Sequence, residues 1–328
     1  MKAVLCKAYG PPESLVFEDV PAPSLGRSDV RISVRACGVN FPDLLMIQGL
    51  YQFKPPFPFS PGAEVSGVVL EVGENVTSFA PGDRVIGMTG WNGFAEEAVV
   101  DANKCLKLPE TMDFETGAGL PMTYGTSYHA LVQRARLKAG EVLLVHGATG
   151  GVGTAAVEIG KLLGARVIAT AGSDEKLAVL RKHYAVEHLI NYRTENFKDR
   201  VKELTDGKGA DVIYDPVGGD LFEPSLRCIA WDGRLLVVGF ASGTIPQVRA
   251  NLVLLKNCSV IGVFWGAWSA REPEVNAANF AELMKLHAAG KLEPIVSFTY
   301  PLERASAALN DLAARKVVGK AVLTTGRG

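Results

Sequence analysis

Polar and apolar positions follow two different rhythms along the chain. Up to about residue 110 the apolar runs are short and strand-like: "DVRISVRACGV", "AEVSGVVLEVG", "DRVIGM" and "FAEEAVV", punctuated by "PPES", "SPG" and "FAPGD". This pattern predicts a compact antiparallel β module with many turns. Near Pro121 the rhythm changes. From Glu141 to about Val263 strand-like and helix-like segments alternate. "EVLLVHG" is almost continuously apolar, as a parallel strand buried on both faces requires. "GVGTAAVEIGKLLG" places Val152, Ala155, Ala156, Ile159, Leu162 and Leu163 on one helical stripe, and Gly164 can stop the helix. "ARVIATAG" reads as a second strand and "DEKLAVLRKHY" as a second helix, while "ADVIYDPVGG", "GRLLVVGF" and "CSVIGVFW" supply later strands. Such alternation predicts an α/β fold with an open, doubly wound parallel sheet. In the tail, "NFAELMKLHAAG" and "PLERASAALNDLAARK" read as amphipathic helices and "VVGKAVLTT" as a closing strand.

The turn after the first of these parallel strands, "HGATGGVG", has the form Ala148-x-Gly150-x-x-Gly153, with Ala in place of the usual first glycine. Strand, loop, helix and second strand follow within roughly thirty residues, the context a dinucleotide fingerprint needs. Gly150 lets the backbone approach a pyrophosphate, and Gly153 lets the helix lie close on the strand. The helix N-terminus offers N–H groups and a positive dipole end to the anion. An NAD site normally places an acid about twenty residues further on, to hold the ribose hydroxyls. Here that strand end reads "ATAGSDEK", with Ala171 and Gly172 where the acid would sit. Small residues leave room for a 2′-phosphate that Ser173, the following amides and Lys176 could bind, which favours NADPH. A hundredfold preference corresponds to about 2.7 kcal/mol, within reach of a few charge-assisted hydrogen bonds. Asp174 argues the other way, since a carboxylate there could repel phosphate; its alternative role is to complement the helix dipole. Ser173 is equally suited to an N-cap.

Composition narrows the class. A chain of 328 residues suggests two domains. The net charge is −1 and the charges are dispersed, so no basic footprint for nucleic acid exists. No apolar run is long enough to span a bilayer, and the start "MKAVLCKAYGPP" reads as a first strand rather than a signal peptide. The five cysteines are far apart and lack C-x-x-C spacing. They predict buried thiols in a reducing cytoplasm rather than disulfides or a structural zinc.

Together "CGVNFPDLL", "PFSPGAEVSGVV", "GDRVIG", "LPMTYGTSYHAL", "HGATGGVG", "AGSDEK", "NYR", "GGD" and "VVGF" resemble the quinone oxidoreductase branch of the medium-chain dehydrogenase/reductase superfamily, nearly end to end. The resemblance implies a GroES-like, mainly β catalytic domain over 1–120, completed by 265–328, and a Rossmann domain over 121–264. Zinc alcohol dehydrogenases of that superfamily read G-V-C-H-T-D and G-H-E where this chain has Gly38-Val39-Asn40-Phe41-Pro42-Asp43 and Gly62-Ala63-Glu64. Asn40 thus stands for a metal-binding cysteine and Ala63 for a histidine. The four-cysteine lobe is missing as well, and the five histidines make no pair with ligand spacing. No metal is expected.

Without zinc, the accessible chemistry is direct hydride transfer, with no flavin, to an acceptor already activated by conjugation: a quinone or an α,β-unsaturated carbonyl. The resemblance implies that Asn40 hydrogen-bonds substrate or nicotinamide, that Tyr51 polarises the acceptor carbonyl, and that Thr123 lies under the nicotinamide. Ala148, Thr149, Gly150, Gly151, Val152 and Gly153 would hold the pyrophosphate; Gly172, Ser173, Lys176 and Tyr192 would surround the 2′-phosphate. Val217, Gly239, Phe240, Phe264 and Trp265 would pass beside the nicotinamide ribose and ring, and Lys320 would approach the cofactor from the tail. Leu45 replaces a second pocket tyrosine of the family, which implies a more apolar site. Three roles stay open. Tyr124 is a neighbour of the cofactor or core, Asp43 is catalytic or a structural hydrogen-bonding group, and Trp91 and Trp268 line the mouth, pack internally or make subunit contacts. The acceptor pocket is expected in the cleft between the domains, at the carboxyl ends of the parallel strands. Two other functions compete: an enoyl-thioester reductase, for which no cluster of Arg and Lys offers a basic entrance, and a non-catalytic NADPH-binding structural or regulatory protein. A homodimer is expected if "CSVIGVFW" is an edge strand that pairs across a twofold axis; the same apolar run suits an interior strand.

Overall fold

The computed structural model describes residues 1–327, which divide into two compact units: Met1–Met122 together with the residues from Pro294 onward, and Thr123–Glu293. In the first unit β1 (Lys2–Leu5) pairs antiparallel with β2 (Val16–Asp19). The main sheet is built on β3 (Asp29–Val39), whose Val30, Ile32, Val34 and Ala36 are fully buried. A seven-residue helix, α1 (Phe41–Ile47), follows it. Strands β4 (Val65–Val72), β5 (Arg84–Gly87), β6 (Glu97–Asp101) and β7 (Cys105–Lys107) extend the sheet with antiparallel pairings, and α2 (Phe114–Gly119) ends this part of the chain.

Helix α3 (Pro121–Tyr128) leads into the second unit. There β8 (Val142–Val145), α4 (Gly151–Leu162), β9 (Arg166–Ala171), α5 (Asp174–Tyr184), β10 (His188–Asn191), α6 (Phe197–Leu204), β11 (Ala210–Asp215), α7 (Phe222–Cys228), β12 (Ile229–Val237), α8 (Ala250–Lys256) and β13 (Ser259–Gly262) alternate as the hydrophobic pattern predicts. All six strands are parallel, in the order β10-β9-β8-β11-β12-β13. The winding direction reverses between β8 and β11, so the loops leaving those two strands flank the switch point at which doubly wound sheets bind ligands. Leu143, Leu144, Val145, Ile168, Ile213 and Leu235 are all fully buried between the helical layers, which explains their unbroken apolar runs.

Helices α9 (Trp265–Arg271) and α10 (Pro273–Ala288) also belong to the second unit, whereas the family resemblance implies that everything after residue 264 completes the first. The reason is local packing. Gly125 of α3 leaves just enough room for the Trp265 indole, Gln133 and Asn279 exchange side-chain hydrogen bonds, and Phe280 and Leu283 are buried. "CSVIGVFW" is likewise only half strand: β13 stops at Gly262 and Trp265 already begins a helix. The chain then returns through β14 (Val296–Pro301), α11 (Ala305–Ala313) and β15 (Lys320–Thr324), and β15 pairs with β14 in parallel and with β3 antiparallel. All five cysteines are free and buried. No helix among the described residues is long and apolar enough to cross a membrane.

Candidate active site

In the second unit the glycine loop leaves β8 and enters α4 with Gly150 as N-cap in extended backbone. A Cβ at Gly150 would meet only the Gly147 carbonyl, at 3.5 Å, so this side of the loop is open to an approaching group. At Gly153 the opposite holds: a Cβ would run into the backbone of Gly147 and Ala148, so only glycine lets the helix sit on the loop. Gly147 has φ +54° and leaves its Cβ space to Val217. Ala148 donates its N–H to the Thr170 carbonyl at 3.0 Å, which ties the loop to β9.

His146 holds this region from beneath, a role the sequence did not announce. It is fully buried, with Nδ1 2.9 Å from Thr170 Oγ1 and Nε2 2.8 Å from Ser225 Oγ. The Ser225 hydroxyl donates to the Leu221 carbonyl at 2.6 Å, so it must accept from His146. The imidazole therefore carries its proton on Nε2 and accepts from Thr170. Burial pushes its pKa down, keeping the ring neutral.

At the end of β9 the polar groups converge on Gly172. A Cβ there would lie 3.0 Å from Arg193 Nε and 3.1 Å from the Tyr192 hydroxyl, so glycine keeps a small cradle open beneath both. The pKa of Lys176 is lowered by burial first and then by the nearby Arg193 charge, which places two cations at one spot. No carboxylate pairs with Arg193 among the described residues. A dianionic phosphate fits this cradle: it meets cations, a hydroxyl donor and no acid at the strand end. Arg193 was not singled out from the sequence. Its signal is a basic residue beside Tyr192 in "NYR", just after β10, the strand that pairs with β9. Ser173 is occupied as the N-cap of α5, its Oγ accepting from Lys176 N at 3.4 Å, and Asp174 lies in the first turn of that helix.

The loops after β11 and β12 are bonded to one another. Asp215 accepts through Oδ1 from the N–H groups of Val217 (2.8 Å) and Gly218 (2.9 Å), and Ala241 and Ser242 donate to the carbonyls of Pro216 and Val217, both at 3.0 Å. Gly239 and Phe240 therefore sit beside Val217, and Phe240 is 36% exposed. Phe264 is 58% exposed, whereas Trp265 is buried, with its indole N–H donated to Asn276 at 3.0 Å. Thr123 is buried, and its neighbour Tyr124 is a buried hydrogen-bonding residue rather than plain core. Trp268 stacks on His129 with centroids 4.0 Å apart.

The first unit holds a different cluster. Asn40, at the end of β3, is joined to Glu64 and to Lys320 of the last strand. Lys320 Nζ lies 2.5 Å from Asn40 Oδ1 and 2.6 Å from Glu64 Oε1; Asn40 Nδ2 donates to Glu64 Oε1 at 2.8 Å. The second Glu64 oxygen accepts from the backbone N–H of Met122 at 2.7 Å. Glu64 is fully buried, and Lys320 and Asn40 nearly so. A lysine can only donate, so the Asn40 oxygen must face it, which settles the amide orientation. Nδ2 also points at the Gly38 carbonyl, 3.4 Å away. Both amide hydrogens are thus spent, and the Asn40 oxygen, which faces Lys320 and the Asp43 N–H of a capping box, can only accept. Lys320, expected near the cofactor, spends two of its hydrogens in this buried cluster.

Asp43 is buried beside it and accepts from Asn40 N (2.8 Å) and Gly62 N (3.0 Å), which pins α1 to the turn at 62–64. Desolvation pushes its pKa up to about 7 against those two hydrogen bonds. Tyr51 is half-buried and packs against the same core, as does Trp91, which is 4.9 Å from Phe53 ring to ring. Burial and, secondarily, the Asp43 charge raise the Tyr51 pKa, so the phenol stays protonated. No hydrogen bond engages its hydroxyl among the described residues, which leaves a donor available. Nor is any group of three or more His, Cys, Asp or Glu side chains placed to hold a metal ion among the described residues.

Comparison with known proteins agrees with this anatomy. The family described as "Alcohol dehydrogenase GroES-like domain" matches residues 26–110, and "Zinc-binding dehydrogenase" matches 151–282. A quinone oxidoreductase-like protein 2 homolog from Nematostella vectensis is 44% identical, covering 99% of this chain and 89% of its own length. The crystal structure of Escherichia coli quinone oxidoreductase complexed with NADPH superposes with TM-score 0.91 at 29% identity, covering 99% of this chain and 100% of its own. The CurK enoyl reductase structure superposes with TM-score 0.87 at 27% identity, covering 98% of each chain. With a GroES-like unit, a Rossmann-type parallel sheet and relatives of this similarity, the chain belongs to the medium-chain dehydrogenase/reductase superfamily, among its quinone oxidoreductase-like members.

Proposed function

We propose that this protein reduces a quinone or an α,β-unsaturated carbonyl compound at the expense of NADPH, without a metal ion. The cradle at Gly172 carries the cofactor choice: Tyr192, Arg193 and Lys176 converge where an NAD site would place an acid. Bound NADPH supplies the hydride. Residues of the second unit hold it: the open face at Gly150 and the N-terminus of α4 take the pyrophosphate, and the cradle takes the 2′-phosphate.

The first unit supplies the polar groups for the acceptor. Tyr51 donates its phenolic hydrogen to the carbonyl oxygen and stabilises the negative charge that grows there. Asn40 cannot share that task, since its amide hydrogens are spent and its oxygen can only accept. It is suited to an N–H or O–H group instead. Leu45 in place of a second tyrosine keeps the acceptor's surroundings apolar. The absence of zinc rests on Asn40 and Ala63 at the two lost ligand positions, and on the engagement of Asn40 with Lys320 and Glu64.

We also propose a homodimer. β13 is an edge strand of the parallel sheet, and the neighbouring α8 has no buried residue, with Leu254 and Leu255 78% and 67% exposed. An unpaired strand edge beside an apolar helix is suited to pairing with a second copy.

Similarity to an enoyl reductase keeps one alternative acceptor in view, an enoyl thioester. The test is NADPH oxidation, followed by absorbance, with 1,4-benzoquinone, 9,10-phenanthrenequinone, a simple enone and crotonyl-CoA side by side, with and without a chelator. Turnover of a quinone or the enone that survives chelation is expected. Activity confined to crotonyl-CoA would transfer the assignment to thioesters, and activity lost to the chelator and restored by zinc would end the metal-free reading.

A further inference from the structure

Helix α3 is fastened to α4 at two heights. Near its end, the Ser127 hydroxyl donates to the Val152 carbonyl at 2.9 Å, in the first turn of α4 and within the glycine fingerprint. Ser127 Oγ also lies 2.9 Å from the Tyr214 hydroxyl of β11. The single Ser127 hydrogen goes to a carbonyl, which only accepts, so Tyr214 must be the donor of the second bond. One turn earlier, the Tyr124 hydroxyl donates to Glu158 Oε2 at 2.5 Å, and Glu158 Oε1 accepts from the backbone N–H of Glu293, also at 2.5 Å. Ser127, Tyr214, Tyr124 and Glu158 are all buried.

Tyr124 and Ser127 are three residues apart and share a face of α3. Their partners Glu158 and Val152 run in the opposite order along α4, so the helices are antiparallel at this contact. Sliding or rotating α3 would break both ties at once. Between the two lies Gly125, where a Cβ would come within 2.7 Å of the Trp265 ring, so a third element is seated on the same segment. Immediately after it the helix changes to a π-turn over His129–Arg134, with Ala135 N–H bonded to the Ala130 carbonyl at 2.8 Å. Such wide turns are uncommon and concentrate at functional sites. Here one lets the chain keep Tyr124 and Ser127 on α4 while Ala130 and Leu131 stay fully buried.

We infer that Ser127, Tyr214 and Tyr124 are positioning residues that set the register of α3 on α4, and with it the distance from the pyrophosphate loop to Thr123 and Trp265. This rests on the proposed NADPH reading and on the family resemblance, which implies that Thr123 and the Phe264–Trp265 segment lie beside the nicotinamide half of the cofactor, with the buried Trp265 holding that segment in place. The adenosine half is held elsewhere, at Gly172, Tyr192 and Arg193, and does not depend on α3.

That separation makes the inference testable. The double variant Ser127→Ala/Tyr214→Phe removes both hydroxyls of the tie together, so neither is left buried without the other, and the Val152 carbonyl loses only its side-chain donor. Calorimetric binding of two probes is compared: NADPH, and adenosine 2′,5′-bisphosphate, which lacks the nicotinamide half. NADPH affinity is expected to fall about tenfold while the bisphosphate changes less than twofold. Tyr124→Phe, which cuts the other tie, should give the same split. Equal losses for both probes would mean that the variants merely loosen the unit, and no loss for NADPH would mean that the ties position nothing; either result overturns the inference. If the unaltered chain binds the bisphosphate but not NADPH, the cofactor reading falls and takes the inference with it.

Discussion

The end of β9 and the end of β3 are built on opposite electrostatic plans. At Gly172 two cations crowd one another, and among the described residues no carboxylate pairs with Arg193, so the cradle favours an arriving anion. At Asn40 a lysine, a glutamate and an amide are sealed in the interior and satisfy one another almost completely. The first plan recruits a ligand by charge. The second cannot recruit anything by charge; it orients one amide, whose oxygen can only accept. Crowded cations mark where a ligand's phosphate belongs, and balanced charge in a core marks what must not move.

The sharpest way to break this contrast is to unbalance the sealed cluster. Lys320→Met keeps the aliphatic stem that packs near Gly119 but strands the Glu64 carboxylate in the core. Removing one partner of a buried pair costs about 3–5 kcal/mol, so thermal unfolding should show a large drop in midpoint. Lys320→Met/Glu64→Gln removes both charges and should recover most of that loss. If the single and double variants melt alike, the cluster is not the balanced unit described above.

The open cluster should respond differently, in binding rather than stability. Arg193→Ala/Lys176→Ala removes two neighbouring cations from the cradle. KM for NADPH should rise about 10-fold to 100-fold, the worth of one or two charge-assisted hydrogen bonds, while KM for NADH stays nearly constant. Parallel losses with both coenzymes would show that the cradle does not read the 2′-phosphate.

The two clusters also differed in how visible they were in the amino-acid sequence. The glycine loop, the missing acid at Gly172 and Lys176 fall within one strand–helix alternation, where spacing translates directly into position, while Tyr192 is implied by the family resemblance alone. Arg193 lay one residue beyond that reach. It matters because β10 pairs with β9, a relation between strands that a linear pattern does not display. The partnership of Glu64 with Lys320 spans 256 residues and depends on β15 returning to pair with β3. Nothing local distinguishes Lys320 from a solvated lysine, so its burial was not legible. The fold class followed from the two rhythms, but the placement of 265–293 did not, because α9 and α10 are claimed by specific contacts at Gly125 and Gln133 rather than by a change of pattern.

Ser173 is where the smallest effect gives the finest discrimination. Its hydroxyl accepts from Lys176 N at 3.4 Å, a long bond typical of a weak cap, yet it sits at the lip of the cradle. A cap of this kind is worth about 0.5–1 kcal/mol, and a hydroxyl that also bound phosphate would add to the cost of removing it. Ser173→Ala should therefore lower the unfolding midpoint slightly and weaken NADPH binding by less than about twofold if capping is its whole role. Ser173→Asp separates the two functions. Aspartate caps as well as serine, so stability should return to that of the unaltered chain. Its carboxylate would stand beside the phosphate cradle, so NADPH affinity should fall several-fold while NADH affinity does not. A Ser173→Asp chain that binds NADPH undiminished would place the 2′-phosphate away from the lip of α5 and leave Arg193 and Tyr192 to hold it from the β10 side alone.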